Sequence, residues 1–119
     1  MEQFKYGKDI EEALDEISEL VTGSELMDVI AEEAIEVAHA ALKLKRTVKP
    51  NLNPTDGMSY EHAKHNLLTE IADLRVGLLA AGYIDDSNYE KFIADMVKFK
   101  TYRWLDRLKE QQQKAGGAV

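Results

Sequence analysis

The sequence predicts an all-α fold, a bundle of about four helices in a single domain spanning 1–119. Apolar residues recur at the i, i+3, i+4 spacing of helices over long stretches, and no stretch alternates in the manner of a strand. The one long break is KPNLNPTDGMS, where Pro50 and Pro54 sit among Asn, Asp and Gly, the chemistry of a loop. Residues that start and stop helices fall at the edges of the periodic stretches.

Asp9 is placed to cap a first helix that runs to about Val21, with Ile10, Ala13, Leu14, Ile17, Leu20 and Val21 on one face. Thr22-Gly23-Ser24 ends it and offers Ser24 as the next cap, for a second helix from about Glu25 to Arg46. Ser59 can cap a third, which reaches Ala81 and stops at Gly82, the usual residue past a helix end. Asp85-Asp86-Ser87 opens a fourth, carrying Tyr89, Phe92, Ile93, Met96, Val97, Trp104 and Leu108. Residues 109–119 are polar and Gly-rich and predict a flexible tail. A helical chain of 119 residues buries a modest share of its surface, so completion of the core by oligomerisation is expected.

Composition narrows the function classes. The absence of cysteine excludes disulfides, thiolate metal sites and a cysteine nucleophile, which leaves oxygen or imidazole as metal ligands. A net charge of -7 argues against a nucleic-acid partner, whose footprint should be basic. The charged N-terminal stretch and the lack of a long apolar run predict neither signal peptide nor membrane span, so the cytoplasm is the expected location.

Carboxylates occupy positions where a core is expected. On the second helix Leu26, Val29, Ile30, Val37 and Ala40 form an apolar arc with Glu33 in its middle and Glu36 at its edge, while Glu32 lies further round toward Glu25, His39 and Lys43. Met27, Ala31, Ala34, Ile35, Ala38 and Leu42 cover much of the remaining surface, which predicts a helix buried on most sides. On the third helix Glu70 borders the arc of Ala63, Leu67, Ile71, Leu74 and Leu78, and Asp73 follows one turn later, beside Asn66 and Gly77. Two helices that each offer two carboxylates one turn apart make an all-oxygen cage for Mg²⁺, with Mn²⁺ as a substitute, if they face each other. Without a cation, four buried carboxylates would mostly be forced to protonate.

The fourth helix carries the opposite sign. Lys100, Arg103 and Arg107 share one broad face, a set of donors suited to phosphate oxygens. Trp104 on the same face fits either a core position or a platform on which a base stacks.

Plainer readings stand beside these. The acids can be solvated or paired with Lys43, and the basic residues can serve as interhelical partners of the same carboxylates. His39, His62 and His65 are expected at the surface or at helix ends. Glu36-Val37-Ala38-His39 is also a Glu-x-x-His run of the kind that builds di-iron carboxylate bundles, but a second run is missing from the third helix. A non-catalytic helical interaction protein is the remaining alternative.

The run Glu32-Glu33-Ala34-Ile35-Glu36 followed by Glu70-Ile71-Ala72-Asp73 resembles the EExxE and ExxD signature of the MazG-like all-α nucleoside triphosphate pyrophosphohydrolases. The similarity extends from about Leu26 to Leu108, and Lys100-x-x-Arg103-Trp104-x-x-Arg107-Leu108 resembles the final helix of small phage-type and bacterial members. The long segment between Glu36 and Glu70, with Asn53-Pro54-Thr55-Asp56-Gly57, departs from compact relatives, and either lies over the nucleotide or bridges two helices.

The resemblance implies a homodimer or homotetramer in which neighbouring subunits help to complete the active site. It implies Mg²⁺-dependent conversion of a (deoxy)nucleoside triphosphate to the monophosphate and pyrophosphate, in nucleotide-pool housecleaning, or a phosphoribosyl-ATP pyrophosphohydrolase-like activity. By position, Glu33, Glu36, Glu70 and Asp73 would be the metal ligands. Glu32 would complete the catalytic set with Glu33 and Glu36, either as a group supporting the ligands from behind or as an aid to water activation. Lys43, Lys100, Arg103 and Arg107 would contact phosphate, Asn66 the sugar or a metal-bound water, and Trp104 the base.

Overall fold

The computed structural model describes residues 9–48, 58–84 and 87–117. These residues hold four helices and no strand: α1 (Ile10–Leu20), α2 (Gly23–Arg46), α3 (Tyr60–Ala80) and α4 (Ser87–Gly117). The all-α class expected from the sequence is therefore observed. The chain divides into two compact units, 1–82 with α1 to α3 and 83–119 with α4.

Side-chain oxygens set where the helices of the first unit begin. Asp9 accepts a hydrogen bond from the Glu12 backbone N–H at 2.8 Å, and Ser59 accepts one from that of His62 at 3.1 Å. The start of α2 differs from the sequence expectation, because Thr22 and not Ser24 is the cap. Thr22 accepts from the Glu25 N–H at 3.1 Å while its own hydroxyl donates to the Glu25 carboxylate at 3.1 Å. A threonine three residues ahead of a glutamate reaches its backbone and side chain together, and Ser24 is drawn into the first turn. At the far end of α3, Gly82 takes a φ of 80°, a left-handed conformation that ends the helix at little cost only for glycine.

Packing in the first unit runs along one seam. Among the residues with described side chains only Leu26, Ala40, Ala63 and Gly77 are buried. Leu26 and Ala40 flank Glu33 at seven-residue intervals on α2, and Ala63 and Gly77 flank Glu70 in the same way on α3. The two helices run antiparallel, since Gly77 near the end of α3 lies against Val29 and Ile30 near the start of α2, while Ala63 and Ala40 share a cavity at the other end. A seven-residue repeat keeps one stripe of each helix turned toward its neighbour over several turns. Small residues at the ends of the stripe let the backbones approach. A Cβ at Gly77 would stand 3.3 Å from Cγ1 of Val29, tighter than ordinary contact. α1 lies against α3 through a weaker contact in which Ala13 and Leu14 are half-buried.

The expectation that α2 is buried on most sides is not met by the described residues of the first unit. Ile35 is 53% and Leu42 52% exposed, and Met27, Ala31, Ala34 and Ala38 are exposed as well. One partner helix covers one stripe, and α1 is too short to cover the rest. The outer face of α3 is similarly apolar and open, through Leu68 and Val76.

In the second unit α4 continues to Gly117, past Leu108, where the sequence suggested a fraying tail. Glu110, Gln111, Gln112, Gln113, Lys114 and Ala115 are all good helix formers, so polarity alone does not end the helix. Tyr83 and Tyr89 pack their rings at 5.9 Å between centroids across the start of this unit, and Lys91 pairs with Asp95 at 3.0 Å one turn on. Phe92, Phe99, Tyr102 and Trp104 are exposed. Asp85 and Asp86, expected at the helix start, and the Pro50–Gly57 loop lie outside the described residues.

Two substitutions test this packing. Gly77→Leu should destabilise the protein by about 1–3 kcal/mol in urea unfolding, because the added side chain has to displace Val29. Thr22→Ala should cost about 1 kcal/mol by removing the cap of α2, whereas Ser24→Ala should change stability little.

Candidate metal centre

Halfway along the seam the apolar and small residues give way to acids. Glu33 and Glu70 are half-buried there, and Asp73, one turn beyond Glu70, is exposed at the rim. One carboxylate oxygen from each of Glu33, Glu70 and Asp73 lies within 4.8 Å of the other two. The antiparallel register produces this convergence, since it sets the middle of α2 beside the middle of α3. Among the described residues no other group of three potential ligands comes together in this way.

Electrostatics mark Glu33 as the strained member. Partial burial raises its carboxyl above the ordinary carboxylate range, and the negative charges of Asp73, Glu70, Glu36 and Glu32 push it further in the same direction. Among the described residues of α1 to α3, no lysine or arginine forms an ion pair with Glu33, Glu70 or Asp73. Of the plainer readings, an ion pair from Lys43 is not formed with these three acids, whereas Asp73 and Glu36 are exposed, as solvated carboxylates would be.

The donor set suits a hard divalent cation. It offers only carboxylate oxygens on two helices, and Mg²⁺, at about 2.0–2.1 Å from each ligand, holds opposed oxygens roughly 4.2 Å apart. The three oxygens lie within 4.8 Å of one another, a bound that admits that span.

A cavity of about 230 Å³ adjoins the cluster and shares Glu70 with it. From α2 it is lined by Glu36, His39, Ala40 and Lys43. Facing these are Ala63 and Asn66 of α3, and Met58 just before that helix. Glu36, expected among the metal ligands, is thus exposed beside the three-acid cluster and faces the cavity, and Glu32 is exposed on the flank of α2. Lys43 and Asn66, singled out from the sequence, both line the cavity. Lys100, Arg103, Trp104 and Arg107 belong to the second unit, where all four are exposed on α4.

Met58 is a cavity-lining residue that sequence reasoning did not select, and His39 entered it only through the Glu-x-x-His run and as a surface residue. For His39 a signal existed, since Glu36, His39, Ala40 and Lys43 follow the i, i+3, i+4, i+7 spacing that puts them on one helix face. Met58 stands next to the loop and had no such periodicity.

Comparison with protein-family models, with curated proteins and with solved structures finds no match to this chain.

The raised proton affinity of Glu33 fixes the sign of a pH effect. Its contribution to stability is fully present below the unfolded value of 4.5 and is lost as pH rises through the higher folded value, so at pH 7 the ionised carboxylate weakens the fold. In chelator, Glu33→Gln should therefore melt at a higher temperature than the parent protein at pH 7, with the difference shrinking as pH falls through the raised folded value and gone below pH 4.5. A variant less stable than the parent at pH 7 would show that the charge is compensated.

Proposed function

We propose that this protein is a MazG-like, Mg²⁺-dependent nucleotide pyrophosphohydrolase that converts a (deoxy)nucleoside triphosphate to its monophosphate and pyrophosphate. The observation that carries this reading is the convergence of Glu33, Glu70 and Asp73 within 4.8 Å on two packed helices, with no cation of α1 to α3 to neutralise them. Carboxylates set into a helix seam without compensation weaken the fold, and a site that binds a divalent cation gives that arrangement a purpose. The residues involved are those of the EExxE and ExxD runs.

Glu33, Glu70 and Asp73 would hold the ion, with Glu36 at the edge of the cluster as a further ligand. When bound, Mg²⁺ supplies Lewis acidity, drawing charge from the phosphate oxygens and making a coordinated water more acidic. The chain's own residues do the rest. Glu32, exposed beside Glu33 on the flank of α2, would support the ligands or aid activation of the attacking water. Lys43 and Asn66 bind the nucleotide from the cavity. Lys100, Arg103 and Arg107 supply phosphate contacts and Trp104 a stacking surface when α4 is brought to a site.

Oligomerisation belongs to the same reading. The exposed apolar faces of α2 and α3, which include Ile35, Leu42, Leu68 and Val76, are what a homodimer or homotetramer would cover. No helix among the described residues is long and apolar enough to cross a membrane. The di-iron alternative receives less support, because His39 stands in the cavity with Glu36 and outside the three-acid cluster.

Pyrophosphate release from a panel of ribo- and deoxynucleoside triphosphates, with Mg²⁺, with Mn²⁺ and with chelator, tests the proposal. Metal-dependent release is expected, and Asp73→Asn or Glu36→Gln should lower turnover by about 10²-fold or more while far-UV circular dichroism stays unchanged. Near-parental turnover in Asp73→Asn would sink the metal assignment. Mg²⁺ should also raise the melting temperature of the parent protein and not that of Asp73→Asn.

A further inference from the structure

We propose that α1 is a docking surface for α4 of a second copy of this chain, which lays its Val97–Leu108 stretch along the apolar side of α1 and receives the same contact in return. The surface is separate from the outer faces of α2 and α3, and the inference does not depend on the pyrophosphohydrolase reading.

α1 has an apolar side that is only partly covered. At about 100° per residue, Ile10, Ala13, Leu14, Ile17 and Leu20 fall on one arc of roughly 120°. Ala13 and Leu14 are half-buried in the contact with α3, whereas Ile10 is 76% and Leu20 77% exposed. The rest of the circumference is Ser18 and the acids Glu11, Glu12, Asp15, Glu16 and Glu19, and the helix contains no lysine or arginine. An occupant has to bring aliphatic side chains to the middle and positive charge to the edges. An anionic membrane or a nucleic acid would be repelled.

α4 carries that complementary pattern. Val97, Thr101, Leu105 and Leu108 share one arc of roughly 80°, and all four are exposed. Lys98 and Lys109 border the arc on one side and Lys100 on the other. From Lys98 to Lys114 the helix has six lysines and arginines against two acids, the reverse of α1. Arg103 and Arg107 lie further round α4, with Trp104 between the two faces, so docking through this arc leaves both guanidinium groups open.

Length and spacing agree with charge. At 1.5 Å per residue, Ile10–Leu20 extends about 15 Å and Val97–Leu108 about 16 Å. Ile10 and Ile17 are seven residues apart, as are Thr101 and Leu108, the interval that keeps one side of a helix turned toward a partner. Two copies related by a two-fold axis form the contact twice, α1 on α4 and α4 on α1, so a short helix contributes two patches to one assembly.

The chain has no cysteine, so single cysteines report on this contact alone. Glu16→Cys and Thr101→Cys are made in separate proteins, mixed, and treated with a bismaleimide that spans about 10 Å, the separation of packed helices. A product of one chain of each kind is expected. Leu108→Asp added to both proteins should lower its yield by about tenfold or more, because the stripe then carries a charge of the same sign as α1. Lys98→Glu should act in the same direction, and serves in its place if circular dichroism shows that Leu108→Asp loses helix. Leu68→Asp, on the outer face of α3, should change the yield by less than about twofold.

The same two cysteines placed in one chain decide the occupant. Products of two chains that decline on dilution are expected. A link formed within single chains and insensitive to dilution would mean that α4 covers its own α1, and would overturn the proposal. No mixed product, or one that neither Leu108→Asp nor Lys98→Glu reduces, would overturn it as well. If Leu68→Asp abolishes the product instead, the copies meet through α3, and α1 is not the docking surface.

Discussion

The structure of the first unit depends on a seam in which small residues bring two helices close and acids occupy the middle. Leu26, Glu33 and Ala40 on α2 and Ala63, Glu70 and Gly77 on α3 repeat every seven residues, and the four non-acidic members are the buried ones. Approach at the ends comes from lack of bulk, as the 3.3 Å spacing at Gly77 shows. At the centre the same closeness sets like charges side by side. The fold therefore tolerates at its midpoint a repulsion that an apolar pair would avoid, and the raised proton affinity of Glu33 is its electrostatic signature.

The cavity and the acid cluster are two consequences of that one seam. Where Ala40 and Ala63 meet, short side chains leave a space, and the longer residues around them, Glu36, His39, Lys43 and Asn66, turn polar groups toward it. A metal centre and an adjoining polar pocket placed on rigid helices keep their geometry better than the same groups on loops. On the proposed reading, phosphate chemistry and nucleotide binding would be set by successive turns of the same two helices. The outer apolar faces of α2 and α3 follow from the same seam, because one that carries acids at its centre leaves little core to hold the unit together.

Much of the secondary structure was legible in the sequence, and the misses share a cause. The caps at Asp9 and Ser59 and the stop at Gly82 follow from local chemistry and stand as expected. α2 starts earlier than expected because Thr22 reaches Glu25 twice, a local contact that outweighs the nearer Ser24. α4 runs to Gly117 because helix propensity, and not hydrophobicity, governs an exposed end. The burial expected for α2 failed for a different reason: periodicity shows that a face is apolar and does not show what covers it.

By itself the sequence determined the helices and the pairing of acids at i, i+3 on two of them, since both depend on interactions within a few residues. Glu33, Glu36, Glu70 and Asp73 stood out because a carboxylate on an apolar arc is costly wherever the arc is buried. Tertiary structure alone decided which of them meet. The antiparallel register of α2 and α3 groups Glu33 with Glu70 and Asp73 and turns Glu36 toward a cavity with His39, because register depends on how small residues interlock between two helices far apart in sequence. That fit is a property of two surfaces together, and neither helix carries it alone.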